Sequence, residues 1–218
     1  MVGSLLRDLA FLDGRVILKF IKKCEKMLKV NPPYKPLVQL PYCCGVCSFQ
    51  WILFRRGYWA DQEEIAWYCK LKILKKDSKK FVRKMRIAKS KKEWGTSVEK
   101  FHIYANELLR KKKIPLKIEH HFISKIKNPR EFVIKNLKAG HDIMLDFHWF
   151  GLGKKDKSWN CGHACVISEF DSNKNILTLG NPSQNQPKFW KVSLNKIVKA
   201  MDKKYDGHER GFWIINKR

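Results

Sequence analysis

The chain has 218 residues, with 46 Lys and Arg against 20 Asp and Glu, a formal charge of +26. An apolar fraction of 44% and an aromatic fraction of 12% are too high for a disordered chain. No run reaches the ~20 apolar residues of a membrane-spanning helix, and the charge points to anionic partners without selecting a fold.

Residues 4–29 carry apolar side chains at spacings of three and four (Leu5, Leu9, Leu12, Val16, Phe20, Cys24), which predicts an amphipathic helix broken near Asp13-Gly14. Asn31-Pro32-Pro33 is a stop, and residues 37–40 form a short extended piece that delivers Gln39. Residues 44–56 are apolar on all sides, as suits a helix in the middle of a domain, and Gly57 ends it. A helix over residues 60–68 follows, with Asp61, Glu63 and Glu64 at its positive end.

Residues 70–92 are a basic block interspersed with Leu71, Ile73, Phe81, Val82 and Met85, read as helical. Gly95-Thr96-Ser97 leads into a further helix with Phe101, Tyr104, Leu108 and Leu109 on one face. From residue 114 the pattern becomes strand-like. Strands are expected at 114–119, 141–149, 162–170, 176–179, 189–193 and 212–215, with helices at 129–137 and 194–201. Helices first and an antiparallel sheet second make this an α+β fold in one domain.

The seven cysteines are an odd number, and Cys43, Cys44 and Cys47 crowd around one helix start. A disulfide framework spreads its cysteines through a short chain, so free thiols in a reducing compartment are expected. The N-terminus has early charges and no long apolar centre. A cytoplasmic protein without a cleaved signal peptide, possible also as a delivered effector, is the expectation.

The chemistry resides in an ordered set: Gln39, Cys44-Gly45, Gly162-His163 and Asn181-Pro182. A thiol at the first turn of a helix faces unpaired N–H groups and the positive end of the dipole, which favour the thiolate. The Cys44 N–H and the Gln39 side-chain amide form a candidate oxyanion hole. His163, in a strand, is the candidate base, and Asn181, at the end of the next strand, the group that orients it.

With these residues in this order, the chain resembles the papain-like cysteine peptidases, closest to the bacteriocin leader-peptide peptidase branch and its stand-alone relatives. Gly95-Thr96-Ser97 and Ala139-Gly140-His141-Asp142-Ile143 also resemble that branch's connectors, and the likeness spans roughly residues 35–215. It implies a papain-like catalytic domain over residues 35–218 with a basic helical insertion at about 70–94, preceded by an N-terminal helical extension over 1–34. It also implies hydrolysis of a peptide bond in a peptide or protein substrate by a Cys44–His163–Asn181 triad with Gln39, with no cofactor. Two departures stand out: that branch usually has Asp where this chain has Asn181, the residue papain uses, and its exporter members carry membrane and ATPase domains.

The same triad can deamidate glutamine or transfer an acyl group. Cys44-Gly45-Val46-Cys47 also matches a pattern whose second cysteine is the nucleophile. Cys44 is preferred because it lies five residues after Gln39, closer to the family's spacing than the eight that separate Cys47. Two non-catalytic readings compete. Cys44, Cys47, Cys161, His163 and Cys165 have the chemistry of a structural zinc site. The block at 70–92, with Phe81 inside it and Trp67, Tyr68 and Trp94 at its edges, could instead bind nucleic acid, although no reader motif accompanies it.

Overall fold

Every residue of the strand Asp142–His148 is buried, so the sheet that contains it is covered on both faces. A computed structural model describes residues 27–90, 93–153 and 160–218. The strands are β1 (Met27–Lys29), β2 (Lys72–Ile73), β3 (Arg86–Ile87), β4 (Leu116–Phe122), β5 (Asp142–His148), β6 (Gly162–Asp171), β7 (Ile176–Gly180), β8 (Phe189–Ser193) and β9 (Gly211–Lys217). The helices are α1 (Cys44–Arg55), α2 (Gln62–Tyr68), α3 (Phe101–Lys111), α4 (Pro129–Lys138) and α5 (Leu194–Ala200). The main sheet runs β4-β9-β5-β6-β7-β8, with β1 added to β6. Every pairing in it is antiparallel. The fold is α+β, as the order of elements implies.

Alternation along the strands divides the core in two. Met144, Val166, Trp213 and Ile215 face α1, α2 and α3. Ile143, Leu145, Cys165, Phe212 and Ile214 face α4 and α5 on the other side. α1 buries residues 45–53 without a break, which its continuous apolar sequence requires. It ends where Gly57 takes the left-handed conformation at φ 81°. The carboxyl end of α1 is fixed by a buried ion cluster. Asp142 accepts from Tyr34 Oη at 2.6 Å, Arg55 Nε at 2.7 Å and Arg56 Nε at 2.6 Å.

α4 is capped by Asn128, whose side chain accepts from Glu131 N, and α2 by Asp61, which accepts from Glu64 N. In the β6–β7 turn, Asp171 Oδ1 accepts from the N–H groups of Asn173 and Lys174, both at 3.1 Å.

Three expectations need correction. Residues 27–29, assigned to the end of the first helix, form β1, and Leu28 packs on the second core. Once paired to β6, their backbone groups are satisfied by the ladder and not by a helix. The rest of that helix lies outside the described residues. Second, the boundary at residue 34 runs through the domain, since Tyr34 is buried in the first core against Asp142. Third, the described residues of the segment at 70–94 are not α-helical. They include the parallel pair β2–β3 and a 3-10 turn over Lys75–Lys80. Leu71, Ile73, Phe81 and Met85 insert into the first core at spacings that fit no helix face, while the lysines stay outside. Glu63 accepts from Val82 N and Arg83 N and ties the segment to α2. Among the described residues, no helix is long and apolar enough to cross a membrane.

Candidate functional site

The turn before α1 aims its N-terminus. Cys43 N donates to Leu40 O at 3.1 Å. Tyr42 then takes φ 66°, a left-handed conformation that costs a non-glycine residue free energy and persists only where surroundings enforce it. Here the Tyr42 ring packs on Trp94, with centroids 5.0 Å apart, and its hydroxyl donates to Asp77. The basic segment thus holds the turn that presents Cys44.

Cys44 is the first residue of α1, and its side chain is half-buried. Burial pushes its thiol pKa up, opposed by hydrogen bonds from the backbone N–H groups of Ala164, Gly45 and Cys44 itself, while the Asp146 carboxylate adds to the rise. The expectation that the helix start alone yields a low-pKa thiol therefore fails. The sequence shows the helix end but not how deeply the thiol is buried, and desolvation outweighs the backbone N–H donors.

Ala164 follows His163 in β6. His163 is buried, and its Nε2 lies 2.8 Å from Asn181 Oδ1. That oxygen also accepts from Ser183 N at 3.0 Å. An oxygen that accepts from a backbone N–H is facing donors, so Nε2 carries the hydrogen and Nδ1 keeps its lone pair. Trp149 stacks on the imidazole at 5.0 Å and 26°, and Phe147 meets it edge-on at 5.7 Å. In this apolar surrounding burial lowers the His163 pKa to about 4, with the Asn181 hydrogen bond opposing the shift.

Gln39 is tied to the same turn through its backbone. Its N–H donates to Pro182 O at 3.0 Å, and its carbonyl accepts from Gln184 Nε2 at 3.2 Å. Its side-chain Oε1 is buried without a hydrogen-bond partner. The four residues singled out in sequence are thus tied to the same two strand ends. His163 and Asn181 share a hydrogen bond, Gln39 is stitched to the residue after Asn181, and Cys44 meets the backbone next to His163. No hydrogen bond joins the Cys44 thiol to the His163 ring among the described contacts.

The competing assignments fare differently. Cys47 is 0% exposed in the first core, and burial pushes its thiol up to about 12. Cys43 is equally buried, which leaves Cys44 as the one cysteine of the three that reaches solvent. The zinc reading fails on topology, because Cys47 and Cys165 lie in cores on opposite faces of the sheet. Among the described residues no group of three or more His, Cys, Asp or Glu side chains could hold a metal ion. Phe81, the aromatic inside the basic block, is buried and offers no stacking face to a base.

Two features escaped the sequence reading. Trp149 is buried against His163. Asp146 is buried beside the site and Arg210 Nε lies 3.2 Å from it. The signal for Asp146 was present: a carboxylate inside an apolar strand must find a partner. Nothing in the sequence pointed to Arg210.

No protein-family model and no curated protein matches the chain. Solved structures do. A C39-like peptidase from Bacillus anthracis is 17% identical with a TM-score of 0.56, covering 87% of this chain and 98% of that one. The peptidase domain of Streptococcus ComA, a bifunctional ABC transporter involved in quorum sensing, is 13% identical with a TM-score of 0.45, covering 84% and 96%. A double-glycine motif protease from an AMS/PCAT transporter, in complex with a leader peptide, is 11% identical with a TM-score of 0.43, covering 86% and 94%. The first of these shows that the chain has the C39-like, papain-related fold.

Proposed function

We propose that this chain is a cysteine peptidase in which Cys44 is the nucleophile, His163 the base, Asn181 the group that orients it, and Gln39 an oxyanion donor. The observation that carries this reading is the buried His163 Nε2–Asn181 Oδ1 contact of 2.8 Å, which leaves Nδ1 free to take a proton. The half-buried thiol at the start of α1 and the C39-like fold support it.

On this reading the Cys44 proton passes to His163 Nδ1 as the sulfur bonds to the scissile carbonyl carbon. The carbonyl oxygen becomes an oxyanion that accepts from the Cys44 N–H and the Gln39 side-chain amide. His163 returns the proton to the leaving amine, the C–N bond breaks, and a thioester remains. Water, deprotonated by the same ring, releases the acid and restores the thiol. A glutamine side chain would follow the same steps with ammonia leaving.

Incubation with a peptide mixture and mass spectrometry of the products tests the reading. Cys44→Ala abolishes cleavage and leaves the fold intact, because Cys44 is only partly buried, at a helix start, and the change removes a single atom. Cys47→Ala keeps cleavage. Turnover retained in Cys44→Ala would overturn the assignment.

A further inference from the structure

Behind the site lies a buried charge pair that the proposed chemistry does not use. Asp146 is 3% exposed and Arg210 1% exposed. Asp146 Oδ1 accepts from Gly211 N at 3.3 Å, whereas Oδ2, 3.2 Å from Arg210 Nε, has no hydrogen-bond partner, nor has that Nε. The remaining guanidinium nitrogens are engaged elsewhere. Nη1 donates to Asp206 Oδ1 at 2.7 Å and to His208 O at 3.2 Å, and Nη2 to Asp206 Oδ2 at 2.6 Å. Burying a carboxylate against one imperfectly aligned guanidinium is costly, and a fold that retains such a pair beside a thiol invites a functional explanation.

Its position supplies one. In the β5–β6 ladder Asp146 is in register with Ala164, whose N–H meets the Cys44 sulfur. Alternation puts both on the α1 face of the sheet. Arg210 lies under the other end of the same stretch. A Cβ at Gly162 would come 2.7 Å from Arg210 Nη2, so any side chain before His163 would displace the guanidinium. The pair therefore underlies residues 162–164, the backbone that carries His163 and meets the Cys44 sulfur.

We infer that Asp146 and Arg210 are a positioning pair for the nucleophile: they brace the start of β6, and the Asp146 carboxylate adds to burial in keeping Cys44 a thiol until substrate is bound. A negative charge beneath the thiol opposes a second one on sulfur, and in a dry site this repulsion is weakly screened. The groups that face Asp146 are Arg210 and Asp206 before β9, Glu99 before α3, and Cys44 on α1. Glu99 is itself held by His208 at 2.8 Å. Burial raises the Asp146 pKa to about 7, against the pull of Arg210 and the Gly211 N–H, so its charge changes in the range where the enzyme would work.

The inference rests on Cys44 as nucleophile, and its test does not need a substrate. The rate of iodoacetamide labelling of Cys44, followed by peptide mass spectrometry from pH 5 to 10, is compared between the wild-type chain and Asp146→Asn. The amide keeps the shape and removes the charge. The expected result is a profile displaced to lower pH, with a rise in labelling rate of about tenfold at pH 9, where Asp146 is charged, and of no more than about twofold at pH 7, where about half of it is already neutral. Labelling of Cys44 with an unchanged profile would overturn the positioning role and leave the nucleophile assignment standing. Failure of Cys44 to label at any pH in either protein would overturn both. Should Asp146→Asn not fold, the wild-type profile decides: titration of Asp146 makes it shallower than a single ionisation, and a single-ionisation curve would refute the inference.

Discussion

The neutral state of His163 makes a quantitative prediction about stability. Its pKa is about 4 in the folded chain against an ordinary value of 6.5. Above pH 6.5 neither state binds the proton, and the ring contributes no pH dependence. Below it the unfolded chain takes up a proton that the folded chain refuses, so stability is lost as pH falls from 6.5 towards 4. Between pH 7 and pH 5 this amounts to about 2 kcal/mol. Total stability will not display the loss cleanly. Asp146, raised to about 7, binds its proton in the folded state first and so stabilises the fold over the same interval, and His120, lowered to about 4, adds a loss of its own. The contrast with His163→Gln isolates the ring. Urea unfolding of both proteins at pH 7 and pH 5, with constant m-values, should show the wild type losing about 2 kcal/mol relative to the variant. A difference that stays flat would mean that His163 becomes charged in place. The assignment of a neutral base held dry by Trp149 and Phe147 would then be wrong.

Two further substitutions have expected outcomes. Asn181→Ala removes the acceptor of both His163 Nε2 and Ser183 N; on the proposed function kcat falls on the order of 10²-fold with KM little changed, read from steady-state peptide cleavage. Asp142→Asn leaves the Arg55 guanidinium, whose side chain is 2% exposed, without its anion. It should cost about 3–5 kcal/mol in urea unfolding, while Cys44 labelling is unchanged because the cluster holds the far end of α1.

The fold was legible where one period dominates the sequence. β5, β6 and β7 alternate or run apolar between glycines and an Asp-Ser-Asn-Lys-Asn turn, and α1 is apolar throughout, so both element type and order followed. The Gln39, Cys44, His163 and Asn181 set was legible because each residue stands beside a backbone landmark: a proline, a helix start, a strand start or a strand end. The basic segment was misread because its composition hides its geometry. Alternating lysines and apolar residues fit a helix in number, but Leu71, Ile73, Phe81 and Met85 reach the core from short extended pieces. The acidity of the thiol was misjudged for a different reason. A helix start can be read from sequence, whereas the burial of the thiol and the Asp146 carboxylate that raise its pKa depend on tertiary packing, with Asp146 more than a hundred residues away.

That reversal bears on how the proposed chemistry would begin. With the thiol pKa raised and the imidazole pKa lowered, both by burial, a resting thiolate–imidazolium pair would place two charges in a dry pocket. Their attraction would have to exceed two desolvation costs. With an electrophilic carbonyl in place the balance changes. The negative charge then moves through sulfur to the carbonyl oxygen as it forms, where the Cys44 N–H and the Gln39 amide would receive it. The positive charge stays on a ring whose Nε2–H is already held by Asn181. On this account proton transfer and attack occur together and only with substrate bound, so the resting thiol reacts slowly with small alkylating agents at neutral pH. Rapid, selective labelling of Cys44 at mildly acidic pH would show a preformed ion pair and refute it.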